Sequence, residues 1–411
     1  MRLPGGGGDL DSLVSRFPDE ALLPLRRTGL DPVDELGRLR TDQPVSRLKL
    51  PLGLRGWLVT GYDEARAVLA ADPHTFSNDF GNMVGKVGIA AEQDPGGLGF
   101  ADPPAHSRLR HMLTPHFTTR ALAQRVPRIR EIIDDALDEM ERAAGTDGVV
   151  DLQAHFAVPV PSRVMMELLG IPDADQDEFQ RLSTQRFDLS GGASGSLDTI
   201  SEAIDYLSVF VARQRIAPAP GLIATILAEY GDGIDDVELA GLADGVLTGG
   251  LETTVSMLTL GAQVLLQDAE AMAAVRDPAR VDGFVEELLR YLSVVQVGFP
   301  RFARHDVTVG GAHILAGDVV LCSLSGANRD ARHGVGMDRV DPHRAHTGHL
   351  AFGHGLHRCI GAELARIELR MAYPRLVNRF PRLRLAVAPD ELSYRELSVV
   401  YGVDALPVAL R

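Results

Sequence analysis

Phe352-Gly353-His354-Gly355-Leu356-His357-Arg358-Cys359-Ile360-Gly361 runs directly into the helix-forming segment Ala362-Glu363-Leu364-Ala365-Arg366. This spacing puts a cysteine at the mouth of a helix, where unpaired backbone N–H groups and the positive end of the helix dipole favour an anion and lower a thiol's pKa. Cys359 is therefore expected to be held as a thiolate. Gly353, Gly355 and Gly361 permit backbone angles and close approaches that a side chain forbids, so the loop should fold tightly about the sulfur and lie against a flat partner. Two other readings compete. His354, His357 and Cys359 are possible zinc ligands, but structural zinc takes four ligands, commonly with a Cys-x-x-Cys pair, and the chain has no such pair. A free cysteine also packs readily as a small buried hydrophobe.

A flat partner that accepts a thiolate suggests a porphyrin. The stretch resembles the haem-binding loop of the cytochrome P-450 family, whose pattern Phe-Gly-x-Gly-x-His-x-Cys-x-Gly it matches at every fixed position. The resemblance implies that Cys359 is the axial ligand of the iron, that Phe352 packs beside the sulfur, that His357 reaches a haem propionate and that Gly361 belongs to the cofactor loop.

Asp102-Pro103-Pro104-Ala105-His106-Ser107-Arg108-Leu109-Arg110 ends a long irregular stretch and begins a helix. His106 and Arg110, four apart, share one helical face, which by itself is as compatible with a solvated surface as with an anion site. The segment resembles the family's propionate clamp, and Arg301, in Pro300-Arg301-Phe302, is then the third propionate partner. The apolar segment 294–299 is implied to line the substrate cavity.

The longest helical pattern runs from Asp235 to about Gln267 and carries Gly249-Gly250-Leu251-Glu252-Thr253-Thr254 at its centre. Each interior glycine costs about 1 kcal/mol relative to alanine. Either a close helix contact or a groove for oxygen and water would account for that cost. The resemblance implies the groove, with Glu252 and Thr253 as the family's acid–alcohol pair. Glu287-Leu288-Leu289-Arg290 is by itself an ordinary i,i+3 pair. It resembles the family's Glu-x-x-Arg, closed by an arginine from a Pro-x-Arg segment, and Arg339 is expected in that role, although Met337 stands where proline is usual.

Composition bounds the remainder. At 411 residues and 45% hydrophobic content the chain can bury a large core. The formal net charge of -15 argues against nucleic acid as a partner. Residues 1–9 lack the positive start and apolar core of a signal peptide, and no run of about twenty apolar residues appears, so a cytoplasmic protein without a membrane anchor is expected. Cys322, in an apolar strand-like run, reads as a core thiol.

Helices are expected at 31–40 with Asp31 as N-cap, and at 63–71, 121–143, 162–169, 199–214 and 281–292, with a glycine-serine linker at 190–196. Strands are expected at 47–50 and 57–60 and within 307–323, where Gly310-Gly311 marks a hairpin. The fold expected is mainly α with a small β portion, a cytochrome P-450 fold with its long central helix over the haem. Residues 1–30 form a partly flexible extension, and 31–411 a single haem-thiolate monooxygenase domain.

The resemblance implies haem b as cofactor and O2 as co-substrate, with ferredoxin and ferredoxin reductase as electron donors, since the chain has no room for a redox domain. The substrate expected is a largely hydrophobic small molecule of secondary metabolism, oxidised most simply by hydroxylation. Ring closure or aryl coupling on the same fold is the alternative; a haem-thiolate gas sensor would have no need of Glu252 and Thr253. Arg358, Arg366, Arg370, Arg375, Arg379 and Arg382 are expected to give a local basic face that steers an acidic electron donor.

Overall fold

The structure, a computed structural model, describes residues 18–50, 54–79, 98–175, 193–345 and 347–411. In chain order its main helices are α1 (Asp34–Asp42), α2 (Tyr62–Ala70), α3 (Ala105–Leu113), α4 (Val126–Ala143), α5 (Pro159–Leu169), α6 (Ala193–Ile216), α7 (Leu222–Tyr230), α8 (Asp236–Gln267), α9 (Ala269–Arg276), α10 (Val281–Leu292) and α11 (Ala362–Arg379). The strands are β1 (Arg27–Thr28), β2 (Asp31–Pro32), β3 (Val45–Lys49), β4 (Arg55–Val59), β5 (Phe76–Ser77), β6 (Val149–Asp151), β7 (Arg301–Ala303), β8 (Val307–Val309), β9 (Ala312–Ile314), β10 (Val319–Cys322), β11 (Arg384–Leu385) and β12 (Pro407–Ala409).

The helix α8 starts where Asp235 caps it, its carboxylate accepting the Glu238 N–H at 2.8 Å. It ends at Asp268, whose side chain already caps α9 through the N–H groups of Glu270 and Ala271. From Thr254 to Leu265 every residue is buried, which only a helix through the centre of a domain can sustain. Around it pack α4, α5, α10 and α11 in one continuous apolar core.

A second layer is the sheet β3-β4-β10-β7-β5, antiparallel except where β10 runs parallel to β4 with Val320 opposite Trp57. Its apolar face closes on α2 through Val59, Ala65, Val68, Val320 and Cys322. The β8–β9 hairpin turns at Gly310 and Gly311, with φ of 53° and 80°, as the sequence required.

Two expectations need correction. Asp31 and Pro32 form β2 opposite Thr28 and Arg27, and the helix starts only at Asp34. Proline holds the residue before it extended, and Asp31 spends its carboxylate on Tyr291 and Arg329 instead of a cap. Residues from 193 are already helical, so the part of the glycine-serine linker that is described is the first turn of α6; its residues 190–192 lie outside the described set. The expected extension is described from residue 18 onward. Leu25 is buried, and Arg27 donates to Gln296 Oε1 at 2.8 Å and to Ser293 O at 2.8 Å, which ties residues 19–28 into the body.

One close approach holds α8 against α11. A Cβ on Gly261 would overlap the Tyr373 hydroxyl and lie 2.6 Å from Cζ, and that hydroxyl donates to Met257 O at 2.5 Å. Gly261→Ala should therefore lower stability by about 1–3 kcal/mol, read as a fall in the thermal midpoint, and Tyr373→Phe should relieve part of the loss. Gly245→Ala, whose Cβ meets nothing within 4 Å, should instead gain about 0.5–1 kcal/mol.

Candidate active site

The cysteine loop is fixed by its own backbone. Cys359 N–H donates to Phe352 O at 2.8 Å and Gly353 N–H to Leu350 O at 2.8 Å. Gly353 and Gly355 have φ of 67° and 73°, and a Cβ on Gly355 would lie 2.5 Å from Leu69 O, so this loop is pressed onto the end of α2. The helix α11 follows, with Gly361 in the cap position.

Cys359 is exposed, whereas Cys322 is buried in β10 and its thiol is pushed up to about 12 by that burial. The expectation that the helix mouth lowers the Cys359 thiol holds only in part. Packing around the sulfur pushes it above its ordinary value although the residue as a whole is exposed; the Gly361 N–H and the guanidiniums of Arg110, Arg358 and Arg366 pull the other way. A metal ion deprotonates a coordinating thiol outright, so a metal bound at Cys359 would hold it as the thiolate.

Beside the loop, His106 of α3 and His357 approach with ring centroids 4.3 Å apart. His106 is fully buried, and neither of its ring nitrogens has a hydrogen-bond partner among the described residues. His357 Nδ1 lies 3.2 Å from Leu98 O, while its Nε2 is also unpartnered. Burial, with His106 and Arg301 adding charge, pushes His357 down to about 3. Arg301 is buried and donates to Phe299 O at 2.9 Å, and Arg110 adds its charge to His106. Buried imidazoles left without partners among cations are costly unless an anion with several acceptor oxygens completes them.

On α8 the two glycines divide the two explanations between them. A Cβ on Gly250 would sit 2.5 Å from Met165 Sδ of α5, a helix contact; a Cβ on Gly249 would meet nothing within 4 Å. Thr253 shares the open face, its Oγ1 donating to Gly249 O at 2.7 Å, while Thr254 is buried. Glu252 is buried and accepts from Arg395 Nη1 at 2.6 Å; Arg395 Nη2 donates to Ser256 Oγ at 3.1 Å. Arg395 had no local signal in the sequence. Only the fold brings it to α8.

Glu287 and Arg290 form a buried pair with two bonds of 2.7 Å. The expected third member, Arg339, is exposed and contributes only its carbonyl, which accepts from Arg290 Nη2 at 2.9 Å. Arg344 takes its place, with Nε 3.0 Å from Glu287 Oε2 and with Nη1 and Nη2 donating to Val335 O and Gly336 O. The signal was present in Pro342-His343-Arg344, a Pro-x-Arg with its proline in place.

The arginine face is corrected too. Arg366 is bonded to Glu286, Arg370 lies 3.3 Å from Asp282, Arg375 3.2 Å from Asp134, and Arg379 is paired with Asp138 and Glu141. Arg358 remains exposed without a carboxylate partner among the described residues, close to Arg66 of α2, whose Nε lies 3.4 Å from His354 Nε2.

The model of the cytochrome P450 family matches residues 52–214 and 280–391. The chain belongs to the cytochrome P450 family. Cytochrome P450 165C4 of Amycolatopsis orientalis is 40% identical over 409 residues, 98% of this chain and 99% of the relative. The cytochrome P450 monooxygenase PikC of Streptomyces venezuelae is 38% identical over 385 residues, 93% and 91% of the two chains. Among solved structures, OxyC, a cytochrome P450 implicated in an oxidative C–C coupling reaction during vancomycin biosynthesis, superposes with a TM-score of 0.82 at 38% identity, covering 94% of this chain and 95% of its own.

As a cytochrome P450 the protein is a monooxygenase, an oxidoreductase that binds haem b and uses O2. Its residues fit that group: a thiol on a tight loop and unpartnered imidazoles among arginines are what an iron porphyrin with two carboxylates calls for. No helix among the described residues is long and apolar enough to cross a membrane.

Removing Arg344 should leave Glu287 with one arginine instead of two. Arg344→Ala is expected to cost about 2–3 kcal/mol, less than full removal of a buried partner, and to lower the thermal midpoint; Arg339→Ala should stay within about 0.5 kcal/mol of the parent.

Proposed function

We propose that the protein inserts one atom of O2 into a largely hydrophobic small molecule of secondary metabolism, most simply by hydroxylation, with Cys359 as axial thiolate and His106, Arg110, Arg301 and His357 on the propionates. The observation that carries this reading is the open face of α8, where Gly249 leaves space and Thr253 presents a hydroxyl one residue from the buried carboxylate of Glu252. A thiolate-ligated haem supplies electron density that favours O–O cleavage. The chain supplies position and protons. Thr253 Oγ1 holds its proton against Gly249 O and orients a water on its open side. Glu252, steadied by Arg395, is the acid from which that proton store is refilled.

Thr253→Ala should bind haem and substrate normally yet divert reducing equivalents into hydrogen peroxide, with product formation falling about 10²-fold or more. Thr254→Ala is the control, because its buried side chain points away from the open face. Uncoupling by the control alone would sink the assignment. Cys359→Ser should lose the red-shifted Soret band of the reduced carbon-monoxide complex, and Cys322→Ser should keep it.

The name of OxyC supports a second reading, ring closure or aryl coupling. Turnover under 18O2 separates the two: oxygen insertion leaves label in the product, whereas coupling gives an unlabelled product lighter by two hydrogens.

Cytochromes P450 of this kind take electrons from a redox partner, and a ferredoxin is the donor we propose. Its docking face centres on Arg66 and Arg358, the cations near the loop that lack a carboxylate partner among the described residues. Reversing both to Glu should slow reduction by ferredoxin and flatten its salt dependence while leaving the substrate-induced spectral change intact. Unaltered kinetics at low salt would place the donor elsewhere.

A further inference from the structure

Arg366 was expected on the basic surface, but the fold turns it inward. Its Nε and Nη2 donate to the two oxygens of Glu286 at 2.6 and 2.8 Å, and its guanidinium carbon lies 4.7 Å from the centre of the Phe352 ring. His349 also approaches that ring, with centroids 5.9 Å apart. His349 Nδ1 accepts the Ala351 N–H at 3.2 Å, so its proton is on Nε2, which lies 3.1 Å from Glu286 Oε2. One carboxylate therefore holds both neighbours of Phe352. All three side chains are shielded, with exposures of 13% for Arg366, 9% for Glu286 and 3% for His349.

Phe352 is not a passive neighbour of the cysteine. Its carbonyl accepts the Cys359 N–H at 2.8 Å, so whatever fixes Phe352 also fixes the backbone that carries the sulfur. The charges are coupled as well. The Arg366 guanidinium places a positive charge against the side chain of the residue whose carbonyl holds the Cys359 N–H. Burial pushes the Glu286 carboxyl up, but hydrogen bonds from Arg366 and His349 hold it well below the usual carboxylate range, so the anchor stays charged.

We propose that Arg366, clamped by Glu286 and His349, is a positioning residue of the cysteine loop: it holds Phe352 in place and sets the net charge felt by the Cys359 sulfur. This rests on Cys359 being the thiolate ligand. The role differs from partner docking, since it acts on the metal site with no partner present. It also differs from the neighbouring Glu287–Arg290 pair, which faces residues 335–344.

The potentials are measured on purified haem-loaded protein with a chemical reductant, and reduction by ferredoxin is timed separately. Arg366→Met removes a positive charge and should lower the one-electron reduction potential by about tenfold in the reduction equilibrium, ~59 mV. Glu286→Gln removes a negative charge and should raise it by a comparable amount. Arg366→Lys keeps the charge but loses the fork and the ring contact; its potential should stay near the parent value, while its reduced carbon-monoxide complex loses the thiolate band faster on warming. Potentials that do not move, or that move in the same direction for both charge changes, overturn the proposal. So does an Arg366→Met protein of parental potential that is slow only with ferredoxin, because that is docking. If Arg366→Met fails to hold haem, Glu286→Gln decides: its potential should rise while that of the charge-conserving Arg366→Lys stays near the parent value, and a Glu286→Gln potential that does not rise overturns the proposal. Retention of the thiolate band in Cys359→Ser would instead refute the ligand assignment on which the proposal rests.

Discussion

Two adjacent buried carboxylates on α10, Glu286 and Glu287, set the terms for the region around the cysteine. An isolated buried carboxylate costs several kcal/mol, so each must be met by cations and N–H donors brought from elsewhere. Successive residues on a helix are about 100° apart, so the two are served by different segments. Glu287 gathers Arg290, Arg344 and the Asp341 N–H at 2.9 Å, which ties down the irregular chain before the cysteine loop. Glu286 gathers Arg366 and His349, which tie down the loop itself. The cysteine is thus held by neutralising a helix behind it.

The helix α8 obeys a different constraint. It is buried all round along its second half, so its position is fixed by apolar packing and by the one place where Gly261 lets Tyr373 approach. Near its centre the helix opens at Gly249, with Glu252 and Thr253 beside the opening. Arg395 joins that acid to the C-terminal segment, which also lies against 294–297 through the Val295–Val400 bridge and the bond from Gln296 N to Val399 O at 3.0 Å. Glu252 and the 294–297 segment are therefore parts of one connected structure.

Gln296 illustrates why composition misleads along that segment. Within a mostly apolar segment it is fully buried, and its amide donates to Leu25 O at 2.9 Å and Ser398 O at 2.8 Å while accepting from Arg27. It joins the N-terminal and C-terminal segments to residues 294–299. Its partners lie some hundred residues or more away along the chain, so no window of sequence shows them.

The sequence by itself determined whatever depends on local order. The glycines and cysteine of 352–361, the long apolar pattern capped by Asp235, the hairpin at Gly310-Gly311 and the His106–Arg110 face all follow from spacing and backbone preference, and the structure keeps each of these local features. Tertiary structure decided which charges meet. It chose Arg344 over Arg339, turned Arg366 from the surface onto Glu286, brought Arg395 to Glu252, and outweighed the helix mouth's pull on the Cys359 thiol by packing around it. The reason is physical: helix periodicity and turn geometry are set within a few residues, whereas the partner of a buried charge is set by which distant segment folds against it.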